Sequence, residues 1–300
     1  MHTSSLFPPF HFFPPSLKPC PLQLRIRTLN EAISEALLER LPTRGLAIVG
    51  TRYPCRRSLL EVRRILETLN PADNWVIISG LAKGIDEEAH RIALERGLDT
   101  LAVLGSGLDE IYPAENRELA LRIINQGGAL LSEYPDTATP RKHTFLARNR
   151  IIAALARATW IVEAGERSGA LNTARWTREI GTDLYVSPFH PADTPGQGNR
   201  KLLAENAAWA LWSSEDLRST WLALQPSCNS RKKDEIPAHL VDLIRLIQTL
   251  TRSTEALSPA ELALAWAGQP EQLTPQLLEL QKLGKVRFEG GWLVFQDAIR

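Results

Sequence analysis

Cysteine is scarce in this sequence, and long apolar runs are missing. Cys20, Cys55 and Cys228 lie far apart. That separation gives neither metal-ligand spacing nor a disulfide framework, and it fits a reducing, cytoplasmic setting. No apolar stretch reaches the roughly 18–20 residues of a membrane-spanning helix, so no membrane partner is expected. Charge of one sign is not in excess, since the net charge is +1. A nucleic-acid site must then be a local patch and not a basic tail. Nucleotide-enzyme fingerprints are also lacking. A dinucleotide fold wants G-x-G-x-x-G after its first strand, whereas the sequence there reads Gly50-Thr51-Arg52-Tyr53-Pro54-Cys55. Gly80-Leu81-Ala82-Lys83-Gly84-Ile85 does not supply a phosphate loop of the G-x-x-x-x-G-K-[ST] type. No cofactor and no metal are expected.

What is present is an alternation. Short apolar runs fall at 45–50, Trp75–Ser79, Thr100–Leu104, Ala129–Ser132, Thr159–Glu163 and Asp183–Val186. Helical periodicity fills the gaps, at Leu59–Leu69, Asp86–Arg96, Asn116–Asn125, Asn149–Ala156 and Leu171–Ile180. Strands alternating with helices predict an α/β fold, with a doubly wound, mostly parallel sheet of about six or seven strands. Residues 1–44 read as a Pro-rich leader and an entry helix, with 1–21 disordered or loosely attached. Docking of the leader through Phe7, Phe10, Phe12 and Phe13 is the alternative. Residues 45–214 form the α/β domain and 215–235 a polar, Pro-bounded linker. Residues 236–300 read as three helices and a hairpin, the outline of a small C-terminal winged-helix domain.

Ligands of such sheets bind beyond the carboxyl ends of the strands. Four Gly-containing turns lie there, at Val49–Arg52, Ser79–Asp86, Gly105–Asp109 and Glu163–Thr173. Each feeds a helix start, where backbone N–H groups favour anions. One such loop is as well explained by a tight turn; four on one rim, with Arg52 and Lys83 among them, favour a row of phosphates. The most basic stretch, Pro140–Arg150, holds Arg141, Lys142, His143, Arg148 and Arg150, no acid, and Phe145. Cations for phosphates and a ring for a base are what single-strand binding needs. A solvated basic loop with Phe145 turned into the core is the competing reading. Asp86 and His90 share a helix face at i and i+4, and are read as a dipole-favoured acid and a packed histidine rather than a catalytic or metal pair. Glu133 and Glu163 are read as groups that orient Arg148 or Arg150.

These residues resemble one family over about Gly45–Leu211. Val49-Gly50-Thr51-Arg52, Ser79–Asp86 with Ala89-His90, and Gly105–Asp109 with Tyr112-Pro113 and Asn116 are similar to the DNA-processing protein A (DprA, or Smf) family. So are Leu131–Pro135, Arg148-Asn149-Arg150-Ile151-Ile152, and Glu163 with Ser168–Leu171 and Thr173-Ala174. The resemblance implies a Rossmann-like domain that binds single-stranded DNA without catalysis. It implies a homodimer that loads RecA recombinase during natural transformation, a competence and DNA-recombination role. The expected DNA-binding set is Arg52, Ser79, Gly80, Lys83, Gly84, Lys142, Phe145, Arg148, Asn149, Arg150, Ser168, Gly169 and Thr173. The five cations would meet phosphates, the glycines of 79–84 and 168–169 would present N–H groups, and Phe145 would stack a base. The sequence departs from the family pattern in three places. Phe145-Leu146-Ala147 lacks one cation, Ser187-Pro188-Phe189 replaces a Val-Pro-Gly turn, and 1–44 is too short for the sterile-alpha-motif-like domain of many members. The alternatives are a nucleotide phosphoribohydrolase of the lysine-decarboxylase-like group and a winged-helix transcription regulator. Gly165–Ala170 does not match the Pro-Gly-Gly-x-Gly-Thr motif of the first.

Overall fold

The computed structural model describes residues 1–6, 13, 17, 19–189, 195–217 and 240. Beyond that it describes only 243, 246, 247, 249, 250, 262, 265, 266, 273, 276, 277, 279, 280, 286–289 and 292–295. The chain divides into two compact units, Met1–Gln225 and Pro226–Arg300.

In the first unit, β1 (His2–Leu6) and β2 (Leu24–Thr28) precede α1 (Glu31–Arg44). There follow β3 (Gly45–Val49), α2 (Arg56–Glu67), β4 (Val76–Ser79), α3 (Ile85–Glu95), β5 (Asp99–Leu104), α4 (Arg117–Asn125) and β6 (Ala129–Ser132). Then come α5 (Lys142–Leu155), β7 (Ala158–Ile161), α6 (Ala170–Ile180), β8 (Asp183–Val186), α7 (Gln197–Ala204) and β9 (Trp209–Ala210). The nine strands run in the order β1-β2-β6-β5-β4-β3-β7-β8-β9. From β6 to β9 every pair is parallel; β1 and β2 add an antiparallel edge.

Period-two geometry sends neighbouring strand residues to opposite faces. In β3, Ala47 and Val49 face a cluster with Leu37, Leu41, Ile151, Leu155 and Ala174, from α1, α5 and α6. Leu46 and Ile48 face the opposite cluster, with Val62, Ile65, Ile85, Ala89 and Ile92 of α2 and α3. Both faces are covered, which is why β3, β4, β6 and β7 are buried along their whole length. Each buried Leu or Ile contributes about 1.5–3 kcal/mol by leaving water.

Three expectations needed correction. The sheet has nine strands, because β1, β2 and the two-residue β9 carry no apolar run long enough to read as strands. The leader is not loose where it is described: His2–Leu6 pair residue by residue with Leu24–Thr28, and Phe13 and Leu17 are buried in the core. Its residues 7–12, 14–16 and 18 lie outside the described set. The basic segment is not a loop, because α5 begins at Lys142, seven residues before the expected start at Asn149.

In the second unit, Leu240, Leu243, Ile247, Leu262, Leu273, Leu277, Leu280 and Val286 form a buried cluster. Strands β10 (Val286–Glu289) and β11 (Trp292–Phe295) form an antiparallel hairpin. The helix start expected at Ser258–Glu261, and the linker after residue 217, lie outside the described residues.

Candidate nucleic-acid interface

Strand order sets the site. After the edge strands β1 and β2 the chain enters mid-sheet at β3, moves outward through β4, β5 and β6, then returns to place β7 on the other side of β3. Where order reverses, the loops leaving β3 and β7 diverge to opposite faces and leave a crevice. A cleft of about 900 Å³ lies there. Its walls come from Val49–Tyr53 after β3, Gly165–Thr173 after β7, and Pro140–Asn149 at the start of α5.

The electrostatics of the cleft are one-sided. Arg52, Arg141, Lys142, Arg148 and Arg167 line it, against the single carboxylate of Asp86. Arg52, Arg141, Lys142 and Arg167 are exposed. Arg148 is the buried floor, only 4% exposed. Its Nη1 donates to the carbonyl of Gly80 at 2.8 Å and to that of Val103. Burial pushes its pKa down to about 10, against the pull of Asp86.

Asp86 occupies the loop that the sequence marked for phosphate. Its Oδ2 accepts from the Gly80 N–H at 3.1 Å, and the amides of Ala82 and Gly50 also donate to it. Burial raises its pKa to about 6, while Arg148 and those amides pull the other way. Asp86, Glu87 and Glu88 all sit in the first turn of α3. That helix N-terminus is already answered by acids. Gly84 does conformational work instead: its φ is +84°, and a Cβ there would lie 2.5 Å from the Thr51 carbonyl. His90 is fully buried, with Nδ1 2.7 Å from Thr100 Oγ1. Thr100 donates to the Ile77 carbonyl, so it accepts from Nδ1–H. Desolvation, then Arg148, lowers the His90 pKa to about 3, so the ring is neutral.

The β7 loop differs. The first turn of α6 carries no acid, and Gly169 is its N-cap. Ser168, Gly169, Asn172 and Thr173 face the cleft, and nothing lies within 4 Å of a Cβ built on Gly165 or Gly169. Of the thirteen expected residues, Arg52, Lys142, Phe145, Arg148, Asn149, Ser168, Gly169 and Thr173 line this cleft. Gly80 and Lys83 line a smaller adjoining pocket with Arg52 and Phe145. Ser79, Gly84 and Arg150 line neither.

Ser79 is fully buried and its Oγ donates to the Ile48 carbonyl at 2.6 Å. Arg150 is a bidentate partner of Glu133, at 2.8 and 2.6 Å, and its Nε donates to the Pro19 carbonyl. Four of the five N–H groups of Arg150 are engaged, by Glu133 and by the Pro19 and Ala147 carbonyls, and the residue lines neither pocket. The reason is helical geometry: starting α5 at Lys142 turns Arg150 away from the face that carries Arg141 and Phe145. Glu163 pairs with no arginine among the described residues; its Oε2 accepts the Cys55 N–H at 2.9 Å. Lys83 pairs with Glu115 at 2.6 Å on the surface.

Phe145 is half-buried. Its ring lies 5.5 Å from that of Tyr112, and the Arg52 and Arg148 guanidinium carbons lie 5.8 and 6.0 Å from its centroid. Gly105 backs it so closely that a Cβ there would come within 2.7 Å. The sequence reading missed Tyr53 and Tyr112, which are 87% and 46% exposed beside the cleft. It also missed Arg167. The signal for Tyr53 was adjacency to Arg52, and that for Arg167 its place in the Glu163–Thr173 turn; Tyr112 carried none apart from the family motif.

Comparison with known proteins agrees with this geometry. The family model of DNA recombination-mediator protein A matches residues 36–221. Protein Smf of Escherichia coli is 33% identical over 272 residues, 88% of this chain and 71% of that protein. Protein Smf of Synechocystis is 42% identical over 175 residues, 58% of this chain; the chain spans only 44% of that relative's length. Two solved structures are similar. DNA processing protein A of Streptococcus pneumoniae has a TM-score of 0.62 at 33% identity, covering 72% of this chain and 73% of that one. That of Helicobacter pylori, solved to explain that protein's single-stranded DNA binding mode, has a TM-score of 0.63 at 29% identity, covering 74% and 96%. On its matched sequence, its sheet order and its switch-point cleft, this chain belongs to the DNA recombination-mediator protein A family.

Proposed function

We propose that this chain binds single-stranded DNA in the cleft between the β3 and β7 loops and acts without covalent chemistry. The carrying observation is four exposed cations, Arg52, Arg141, Lys142 and Arg167, over the buried Arg148, against one buried, already bonded carboxylate along a strand-end crevice. Exposed rings beside it suit a strand whose bases are unpaired. The Helicobacter pylori relative supports the same ligand class. Family membership supports the finer reading: a cytoplasmic homodimer that delivers single-stranded DNA to RecA recombinase in natural transformation. It also supports reading the second unit as a winged helix that contacts protein rather than DNA.

The phosphoribohydrolase alternative needs a carboxylate facing substrate. Glu133 is committed to Arg150 and Glu163 to the Cys55 amide. One titration separates the readings, using single-stranded DNA, duplex DNA and a nucleoside monophosphate at several salt concentrations. Single strands bind best, and log K falls with log salt at a slope near −3 if about four phosphates are met, at about −0.7 each. Equal affinity for duplex DNA at matched salt overturns the proposal. So does release of free base from the monophosphate, abolished in Glu133→Ala.

A further inference from the structure

Strand β2 lines neither the main cleft nor the pocket adjoining it, yet it reaches the loop behind Phe145. Period-two geometry sends Leu24, Ile26 and Thr28 into the core and puts Arg25 and Arg27 on the other face. All three side-chain nitrogens of Arg27 are engaged. Nε donates to Thr3 Oγ1 of β1 at 3.0 Å, Nη1 to the Leu108 carbonyl at 2.9 Å, and Nη2 to Asp109 Oδ1 at 2.7 Å. Arg25 Nη1 donates to Asp136 Oδ2 at 3.1 Å. The antiparallel edge is thus bonded to both loops that leave β5 and β6.

Those loops carry Phe145. The Gly107 and Asp109 N–H groups donate to the Ala138 and Asp136 carbonyls, at 2.8 and 2.9 Å, and so join the two loops. Ser132 Oγ donates to the Ser106 carbonyl at 2.6 Å, and Thr144 Oγ1 to the Gly105 carbonyl. Gly105 lies directly against the Phe145 ring, and the Arg52 and Arg148 guanidinium carbons lie 5.8 and 6.0 Å from that ring's centroid. One continuous path therefore runs from β1 through Arg27 and residues 105–109 to Phe145 and two cations of the cleft. We infer that Arg27, with Arg25 beside it, is a positioning residue for single-strand binding: it sets the 105–109 loop, and through it Phe145, without touching DNA. This deepens the proposed function and rests on it.

A planar fork suits this task. Thr3 fixes the orientation of the guanidinium, which then holds a backbone carbonyl and a carboxylate at once; the compact ammonium of a lysine does not reproduce that geometry. The Arg27 and Asp109 side chains are 19% and 51% exposed. An ion pair so open to water adds little to stability, so what it supplies is placement more than folding energy. The chain contains its own control. Arg40 of α1 pairs with Asp99 at 2.7 Å and is also partly exposed. Asp99 opens β5, so that pair lies at the end of the same strand remote from the cleft.

The test uses the full chain with 4-fluorophenylalanine at residue 145 alone, and an oligothymidylate of fixed length. Fluorine NMR of the free protein reads the surroundings of the ring, and a titration at several salt concentrations reads binding. Arg27→Ala should shift or broaden the residue 145 line. It should weaken binding by roughly 3- to 30-fold, the range for residues that act on a site without touching its ligand. The salt slope should match the wild type, since no phosphate contact is lost. Arg27→Lys, which keeps one charged donor, should recover part of both changes. Asp109→Ala, which removes one of the three bonds, should give a smaller change of the same kind. Arg40→Ala should alter neither reading. Thermal unfolding checks that each variant is folded during the titration; if Arg27→Ala does not fold, Arg27→Lys and Asp109→Ala take its place under the same limits. Binding by Arg27→Ala within twofold of wild type, or an unmoved fluorine line, overturns the inference. So does a slope flattened by about 0.7, which would make Arg27 a phosphate ligand, or an equal loss in Arg40→Ala, which would make the effect one of general stability. In each of those outcomes tight, salt-dependent binding by the wild type leaves the proposed function standing. Failure of the wild type to bind any single strand overturns both.

Discussion

The loops after β4 and β7 are built alike and behave differently. Each is glycine-containing, each leaves a parallel strand, and each opens a helix. In the first, Asp86 folds back from α3 and takes the Gly80 amide. In the second, α6 opens with no acid, and Gly169 faces an open cleft. A glycine-rich turn is an anion site only if its amides are vacant. In the first loop a carboxylate takes the amide; in the second the bonds are local and neutral, from Ala170 N–H to Ser168 Oγ and from Asn172 N–H to the Gly169 carbonyl.

The comparison breaks most severely at Asp86→Ala. The amides of Gly80, Ala82 and Gly50 lose their acceptor, and Arg148 loses its nearest opposite charge. Each buried donor left unmet costs about 1–3 kcal/mol. Urea unfolding should therefore show a drop of several kcal/mol. Any folded fraction should gain affinity for inorganic phosphate, and a variant as stable as wild type would show that the loop does not depend on the carboxylate.

Next in size is a matched pair of glycine substitutions. A Cβ on Gly80 would lie 2.5 Å from the Arg148 guanidinium, while one on Gly169 meets nothing within 4 Å. Gly80→Ala should cost about 1–3 kcal/mol by overpacking and weaken DNA binding by shifting Arg148. Gly169→Ala should stay within about 0.5 kcal/mol of wild-type stability. Equal melting temperatures for the two variants would erase the distinction.

The buried acid also sets a pH signature. Asp86 holds its proton up to about pH 6 in the folded chain but loses it near 3.8 when unfolded. Its contribution to stability therefore falls as pH rises through that window. His90 stays neutral down to about 3 when folded but charges near 6.5 when unfolded. Its contribution is complete above 6.5 and is lost as pH falls. Over roughly pH 4–6 the two oppose each other at about 1.4 kcal/mol per pH unit each, so the wild type should be nearly flat there. His90→Asn should unmask the Asp86 slope, with stability falling from pH 4 to 6; a rising slope in that variant would contradict the assignment.

The smallest effect sharpens the comparison at the level of single charges. Arg52→Ala should flatten the salt dependence by about 0.7, the value for one phosphate on a single strand. Lys83→Ala, across the rim at the acid-filled loop, should change it less, because Glu115 already answers that charge. Arg150→Ala should leave the slope unchanged. It should instead destabilise by about 3–5 kcal/mol by stranding Glu133.

Much of this was legible in the chain. The six central strands and the helices between them were visible as apolar runs and 3.6-residue periodicity, because a sheet covered on both faces demands continuous apolar strands. The loops of the cleft were legible for the same reason: they are what lies between a buried strand and a helix. Strand β1 was not legible, since His2-Thr3-Ser4-Ser5-Leu6 has no apolar stripe and is ordered only by the free edge of β2. Residue types also marked a basic, aromatic site near Arg52 and Pro140–Arg150, because charge and ring content are properties of the chain itself. Which cations remain available was decided only in three dimensions. Arg150 and Arg148 are as basic as Arg52 in sequence. The first is neutralised by Glu133, 17 residues away, and the second is committed to the Gly80 carbonyl, 68 residues away. Sequence determines which groups a protein owns; long-range packing determines which of them are already paired, and only the unpaired ones are left for a ligand.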